Sequence, residues 1–284
     1  MAKTKEIKEE MQFNAGLMDL LDVMKNIAVS QFRSLQRKKE RFASFARLLE
    51  GFFRMVDMSK IPHNFMSPKV EKAAIIMITS DEGFMGALNF QVIDSALFSR
   101  YSNSAQLIMA GDVGARYLKD TGKTFTAFKG APDAAARYAL AGELKNFIVE
   151  GVKAERFGRV LVSYPNPISF MVQTVEVVEI LPLSSYFFHE QTEESARPVI
   201  VESPMEGIIE YLAEQFIVQK LMEILEDSKL SEFAARAIHL EKSGQELTEK
   251  EKELKGQYFR AYHEVVDKNT RELFSTQIIM KKKG

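Results

Sequence analysis

The sequence predicts an α+α/β architecture: a long antiparallel coiled coil made by helices at the two ends of the chain, with a small α/β domain between them. Three observations carry this. Residues from about 4 to 58 hold no proline and repeat an apolar side chain every three or four positions, the period of a helix with one packed seam. Residues from about 204 to 280 do the same after a single proline, Pro204. The stretch from about 70 to 190 instead alternates short apolar runs with amphipathic ones, as strands alternate with crossover helices. The chain therefore divides into an N-terminal long helix (1–62), an α/β domain (70–195) and a C-terminal long helix (203–284).

The N-terminal seam runs through Ile7, Met11, Met18, Leu21, Ala28, Phe32, Leu35, Phe42, Ala46, Leu49, Phe52 and Val56, and is interrupted at Asn14, Lys25 and Lys39. A helix of this size is roughly 80 Å long, more than a compact domain can bury. Pro62 and Pro68 mark a linker. Ala73–Ile78 is apolar throughout and reads as a buried strand. Asp81–Asn89 is a turn feeding a helical stretch through Phe98. Gln106–Ala110 is a second strand ended by Gly111, Val113–Leu118 a short helix closed by Gly122, and Ala134–Gly151 an amphipathic helix. Arg159–Tyr164 is a third strand, and Ser169–Ile180 a strand-like run that pairs antiparallel with it, because only Pro165-Asn166-Pro167 lies between. The alternation implies a mostly parallel, Rossmann-like sheet. Ser203-Pro204, with Glu206 behind it, opens the last helix. Its seam passes from Ile208 to Leu273 in a helix of about 75 residues that runs beyond roughly 110 Å, with Gly244 and Gly256 as weak points. Each long helix covers the other's seam, and the α/β domain hangs from one end of the pair.

Composition narrows the function. Of 284 residues, 46% are apolar and 27% charged, which excludes a largely disordered chain. Lys+Arg number 38 and Asp+Glu 39, so the chain lacks the basic excess of a general nucleic-acid binder. With no cysteine there is no disulfide framework, thiolate metal site or thiol nucleophile, which fits a reducing compartment. No apolar run approaches the roughly 18 residues of a membrane span. The opening residues, with Glu6, Glu9 and Glu10, resemble neither a signal nor a transit peptide. Any membrane link is expected to come through a partner.

No motif carries chemistry. Gly122-Lys123-Thr124 looks like the end of a phosphate-binding loop, but the required first glycine is Tyr117. The pairs Gly83/Gly86 and Gly111/Gly114 each follow a strand and are read as tight turns with close helix–sheet packing. His63, His189, His239 and His263 are scattered, without ligand spacing. Asp81-Glu82 is read as helix-capping. The basic run Arg33, Arg37, Lys38, Lys39, Arg41 is a solvated or protein-contacting face. The residues alone describe a structural or mechanical subunit.

Specific strings then sharpen the reading. Ile78-Thr79-Ser80-Asp81-Glu82-Gly83-Phe84-Met85-Gly86-Ala87-Leu88-Asn89 resembles the Ile-Thr-Ser-Asp-x-Gly-Leu-x-Gly-x-Leu-Asn motif of the γ subunits of F-type ATP synthases. Tyr164 to Leu183, Ser231-Glu232-Phe233-Ala234-Ala235-Arg236, Met24-Lys25-Asn26-Ile27-Ala28 followed by Phe32-Arg33, and Thr270-Arg271-Glu272-Leu273 are similar to further segments of that family, in family order. The resemblance implies a central-stalk rotor shaft that couples ion flow through a membrane ring to ATP synthesis or hydrolysis in partner β subunits. It implies α, β, ε and c-ring partners, and a peripheral position on the cytoplasmic face of an energy-transducing membrane. The chain would hold no catalytic, cofactor-binding or metal residue, ATP and magnesium belonging to the partners. It also implies subunit-interface roles for Met24, Ile27, Arg33, Ser231, Glu232, Arg236, Thr270, Glu272, Ile278 and Ile279, and a structural turn at Asp81, Gly83 and Gly86. The chain departs from the family at Val265-Val266, where Arg-Gln is usual, and in its Ile278-Ile279-Met280 tip followed by lysines. The other reading is a stand-alone coiled-coil adaptor whose α/β head binds a small ligand.

Overall fold

The computed structural model of the protein describes residues 2–39, 63–184 and 204–281. The expected helical seam from Phe42 to Val56, Arg41, Pro62, His189 and the Ser203 cap lie outside the described residues. Helix α1 spans Ala2–Lys39, and the chain continues through β1 (Ala73–Ile78), α2 (Leu88–Leu97), β2 (Gln106–Ala110), α3 (Asp112–Asp120), β3 (Thr126–Phe128), α4 (Ala134–Lys153), β4 (Arg159–Pro167), β5 (Gln173–Leu181) and α5 (Met205–Lys281).

The strands form one sheet in the order β3-β2-β1-β4-β5. β1 pairs parallel with β2 and with β4, β2 pairs parallel with β3, and β4 pairs antiparallel with β5. Every residue of β1 is buried, which is why it is apolar throughout rather than alternating. The two faces separate by parity. Ala74, Ile76 and Ile78 point toward α4 and the first part of α5, whereas Ala73, Ile75 and Met77 point toward α2 and α3.

Two details differ from expectation. β3 pairs in the sheet although its three residues are too few to show any periodicity. Pro165-Asn166-Pro167 is not the turn but the end of β4, and the chain reverses at 168–172, where the amides of Ile168 and Ser169 donate to the Val172 carbonyl. The prolines are tolerated because β1 pairs with β4 only as far as Ser163, so beyond it one edge of β4 needs no amide donors.

The chain forms two compact units. In the first, Met1–Ile27 with Ala237–Gly284, α1 and α5 pair antiparallel. Ile7 packs with Leu254 and Ala261, Glu10 meets Lys250 at 2.9 Å, and Lys25 meets Glu241 at 2.8 Å. Lys25, an interruption of the seam, is turned outward to hydrogen-bond Asp22 and Glu241, which raises its pKa. Asn14, the other interruption, is buried at 2% exposure, and its amide nitrogen has no hydrogen-bond partner among the described residues. A buried polar residue at a seam position costs stability and favours one register.

The second unit, Ala28–Arg236, holds the sheet. Phe32 and Leu35 of α1 pack on Leu230, Phe233 and Ala234 of α5, with Phe170 edge-on to Phe32 at 4.9 Å. Between β2 and α3 the chain turns at Gly111, whose φ of +107° and lack of side chain are both required. A Cβ there would lie 2.2 Å from the Thr79 carbonyl oxygen. Gly114 is equally tight, its Cβ position 2.5 Å from Met109 Sδ.

Gly111→Ala is therefore expected to lower unfolding stability by more than about 2 kcal/mol, from positive-φ strain and the backbone clash together. Gly16→Ala, in α1 with open space around it, is expected to raise stability by about 0.5–1 kcal/mol. Urea midpoints of the two variants against the parent measure both.

Candidate functional site

In a sheet of this order the chain steps outward from β1 to β2 and β3, and α4 then carries it back to β4 on the other side of β1. The crevice at the carboxyl ends of strands beside such a switch point is where open α/β sheets bind ligands. Here that crevice is lined by the chain after β1, by Gly130-Ala131, by Arg137 and by α5 itself through Leu225, Ser228, Lys229 and Glu232. The free space is about 20 Å³, room for roughly one water molecule. The place a ligand would take is filled by the protein's own helix.

The turn after β1 is built to receive that helix. The Ser80 amide donates to Asn89 Oδ1 at 3.1 Å, and Asn89 Nδ2 donates to Ser80 Oγ at 2.9 Å. Ser80 Oγ in turn donates to the Glu82 carbonyl at 2.7 Å. Asp81 caps a helix as expected, but a distant one: its Oδ1 accepts from the Asp112 amide that opens α3, at 3.2 Å. A Cβ on Gly130 would overlap the Asp81 carboxylate, so that glycine makes room for it. The left-handed positions in the turn are Phe84 (φ 65°) and Gly86 (φ 57°). Gly86 thus answers a real backbone demand, whereas Gly83 has open space around it and no positive φ.

Arg236 of α5 closes the arrangement. Its Nη2 lies 3.0 Å from Glu82 Oε2 and 2.6 Å from Glu232 Oε1, and its Nε donates to the Gly83 carbonyl at 3.4 Å. Glu232 also meets Lys229 at 2.9 Å, so one buried carboxylate sits between two cations. Ser231, fully buried, donates to the Pro165 carbonyl at 3.0 Å. On the other side Arg137 of α4 grips Glu226 with both Nε (2.9 Å) and Nη2 (3.4 Å). Tyr164 donates to Glu176 at 3.2 Å. Burial, and the nearby carboxylates of Glu176, Asp227 and Glu223, push its phenol far above the ordinary tyrosine range.

The structure thus joins two groups of residues that the sequence reading kept apart. The turn expected at Asp81, Gly83 and Gly86 meets the segment expected at a subunit interface, Ser231, Glu232 and Arg236, through Arg236 on the Gly83 carbonyl and through the crevice that Asp81 and Glu232 both line. The side chains of those three are buried inside the second unit, where Ser231 bonds the Pro165 carbonyl and Arg236 the Gly83 carbonyl. The remaining candidates stand apart. Ile27 and Arg33 are exposed on α1 and Met24 is half-buried there. Thr270 and Glu272 are exposed on α5, Thr270 bonding back to the Val266 carbonyl at 2.8 Å. Ile278 and Ile279 lie in the α5 backbone, and their side chains are outside the described residues. Sequence reasoning missed Arg137 and Glu226. The available signal was their place in two charge series, Arg137, Lys145, Lys153 on one helix and Glu210, Glu214, Glu226 on the other. Gly122, with φ of +71°, follows the end of α3, so Gly122-Lys123-Thr124 does not lead into a helix N-terminus as a phosphate loop must.

The fold thus consists of a doubly wound α/β unit whose crevice is filled by its own C-terminal helix and a unit formed by an antiparallel helix pair. The chain belongs to the ATP synthase family, whose family model matches residues 3–275. It is 24% identical to the ATP synthase gamma chain of Maridesulfovibrio salexigens, over 83% of this chain and 84% of that one. It is also 24% identical to the ATP synthase gamma chain of Aliarcobacter butzleri, over 97% and 98%. Its fold matches a chain of the mitochondrial ATP synthase rotor of Euglena gracilis at a TM-score of 0.69, with 15% identity over 93% of this chain and 99% of that one. Among the described residues no helix is long and apolar enough to cross a membrane.

Arg236→Ala is expected to cost at least about 2 kcal/mol in urea unfolding, because it strips one cation from a buried carboxylate. Glu82→Ala, which removes a largely exposed partner, is expected to cost less than about 1 kcal/mol. A second expectation concerns pH. The folded Tyr164 phenol binds its proton more tightly than the unfolded one, so its contribution to stability is intact below the ordinary phenol pKa and declines as pH rises past it. Absorbance titration of the phenolate should show no difference between the parent and Tyr164→Phe in the ordinary tyrosine range while folded, and a difference once unfolded in urea.

Proposed function

We propose that this chain is the central-stalk γ subunit of an F-type ATP synthase or ATPase, the rotor shaft that couples ion flow through a membrane ring to nucleotide chemistry in partner β subunits. The observation that carries the reading is the reach of the family match, which takes in both long helices and the head between them. The filled crevice supports it over a ligand-binding adaptor, because a head that already holds its own helix serves as a mount. In this reading the α and β subunits surround the helix pair, and an ε subunit and a c-ring adjoin the head. ATP and magnesium stay with the partners, and the complex holds the chain at the cytoplasmic face of the membrane. Coupling between distant sites then runs through a stiff element whose orientation biases each β subunit.

Affinity purification of the tagged chain from native membranes tests this. The expected result is a large nucleotide-binding hexamer in the eluate, with no ATP hydrolysis by the chain purified alone. Recovery of the chain without a hexamer, or turnover by the chain alone, would count against the reading. Truncation after Leu273 is expected to lower ions pumped per ATP hydrolysed while subunit content stays equal. An unchanged ratio would show that the last turns of α5 are not a bearing.

A further inference from the structure

The contact between α4 and α5 carries a sorted set of charges. Lys153 meets Glu210, Lys145 meets Glu214 at 3.2 Å, and Arg137 meets Glu226 at 2.9 Å. Every cation is on α4 and every anion on α5, and the partners run in opposite directions along the two helices. Burial deepens along the series. The side chains of Lys153 and Glu210 are 51% and 38% exposed, and those of Arg137 and Glu226 only 7% and 11%. Around this ladder the contact is apolar, with Leu140, Leu144 and Ile148 of α4 in one cluster with Leu221 and Leu225 of α5.

Apolar packing resists separation but is not directional, so by itself it sets the rotation of a helix less sharply than a paired charge does. A buried ion pair behaves differently. Once its partners are out of register, each charge is left in a poorly solvated place, and the paired guanidinium and carboxylate fix geometry as well as proximity. A one-turn slide of α5 would put Glu214 where Glu210 stands, but it would take Glu226 away from Arg137.

We propose that the Arg137–Glu226 pair, at the buried end of this ladder, is a torsional lock: a pair of positioning residues that keeps α5 from turning against the α/β head under load. The proposal rests on the rotor-shaft reading and adds to it the place where torque passes between head and helix. An unloaded shaft needs only assembly, whereas a loaded one needs the lock. Loss of the pair should therefore leave ATP hydrolysis in place and reduce the work extracted from it.

The test uses the assembled complex in sealed vesicles, reading ions pumped per ATP hydrolysed at equal subunit content. The parent complex should pump, and one that hydrolyses ATP without pumping would count against the shaft reading itself. Given a pumping parent, Arg137→Met is expected to lower the ratio about twofold or more, the range in which single changes alter coupling between distant sites, with hydrolysis retained. The exchanged pair, Arg137→Glu with Glu226→Arg, is expected to recover much of the loss. Because the chain has no cysteine, Arg137→Cys with Glu226→Cys can be bridged selectively by a bifunctional thiol reagent. Bridging should restore the ratio, and this arm carries the test even if Arg137→Met assembles poorly. An unchanged ratio in Arg137→Met, or a bridged pair that pumps no better than the unbridged one, would overturn the lock and leave the shaft reading standing.

Discussion

The second unit depends on one constraint: β1 must be covered on both faces. Its six residues are all buried, and a strand so apolar is stable only between two layers. The odd-numbered face is covered by α2 and α3. The even-numbered face is covered by α4 and by the apolar residues of α5 between Ile209 and Leu225. The sheet therefore lacks a complete core without a segment that lies beyond its last strand in sequence. The apolar seam of α5 serves two different neighbours along its length, the sheet first and α1 afterwards.

Polar groups at the carboxyl ends of the strands follow from that arrangement. A helix laid across a crevice meets unpaired carbonyls and side chains, and these need partners. Ser231 takes the Pro165 carbonyl, Arg236 takes the Gly83 carbonyl, and Glu232 rests between Lys229 and Arg236. The family string from Ser231 to Arg236 is thus spent on intramolecular satisfaction. That it reads as a recognition motif is understandable, because Ser, Glu and Arg at such spacing suit a protein contact. Among the described residues the string's hydrogen bonds and ion pairs are to groups of the same chain.

The long elements were legible because their signals are long. Ala73–Ile78, Gln106–Ala110 and the helix from Ala134 appear in the structure close to where periodicity puts them. The antiparallel sense of the terminal helices followed from two complementary seams. β3 was not legible, because three residues carry no period. Pro165 and Pro167 misled because proline is read as a turn, and only the pairing pattern reveals that one edge of β4 is free there. At the site, Gly111 and Gly114 were read for the right physical reason, tight turning and close packing. Asp81 caps α3 rather than the helix that follows it in the chain, and the sequence does not show which helix folds back beside it. The joining of Arg137 to Glu226 spans 89 positions, and the charge series on each helix shows which side chains can pair but not which helix it will face.

The late position of α5 also sets an order of events during synthesis. The strands and α4 are complete by Leu181, but the helix that covers their even-numbered face is translated only afterwards. At about 5–20 residues per second, that leaves on the order of several seconds in which the nascent sheet carries an open apolar face. Until then the face lies open to solvent, and the last helix, besides pairing with α1, is the piece that ends that exposure.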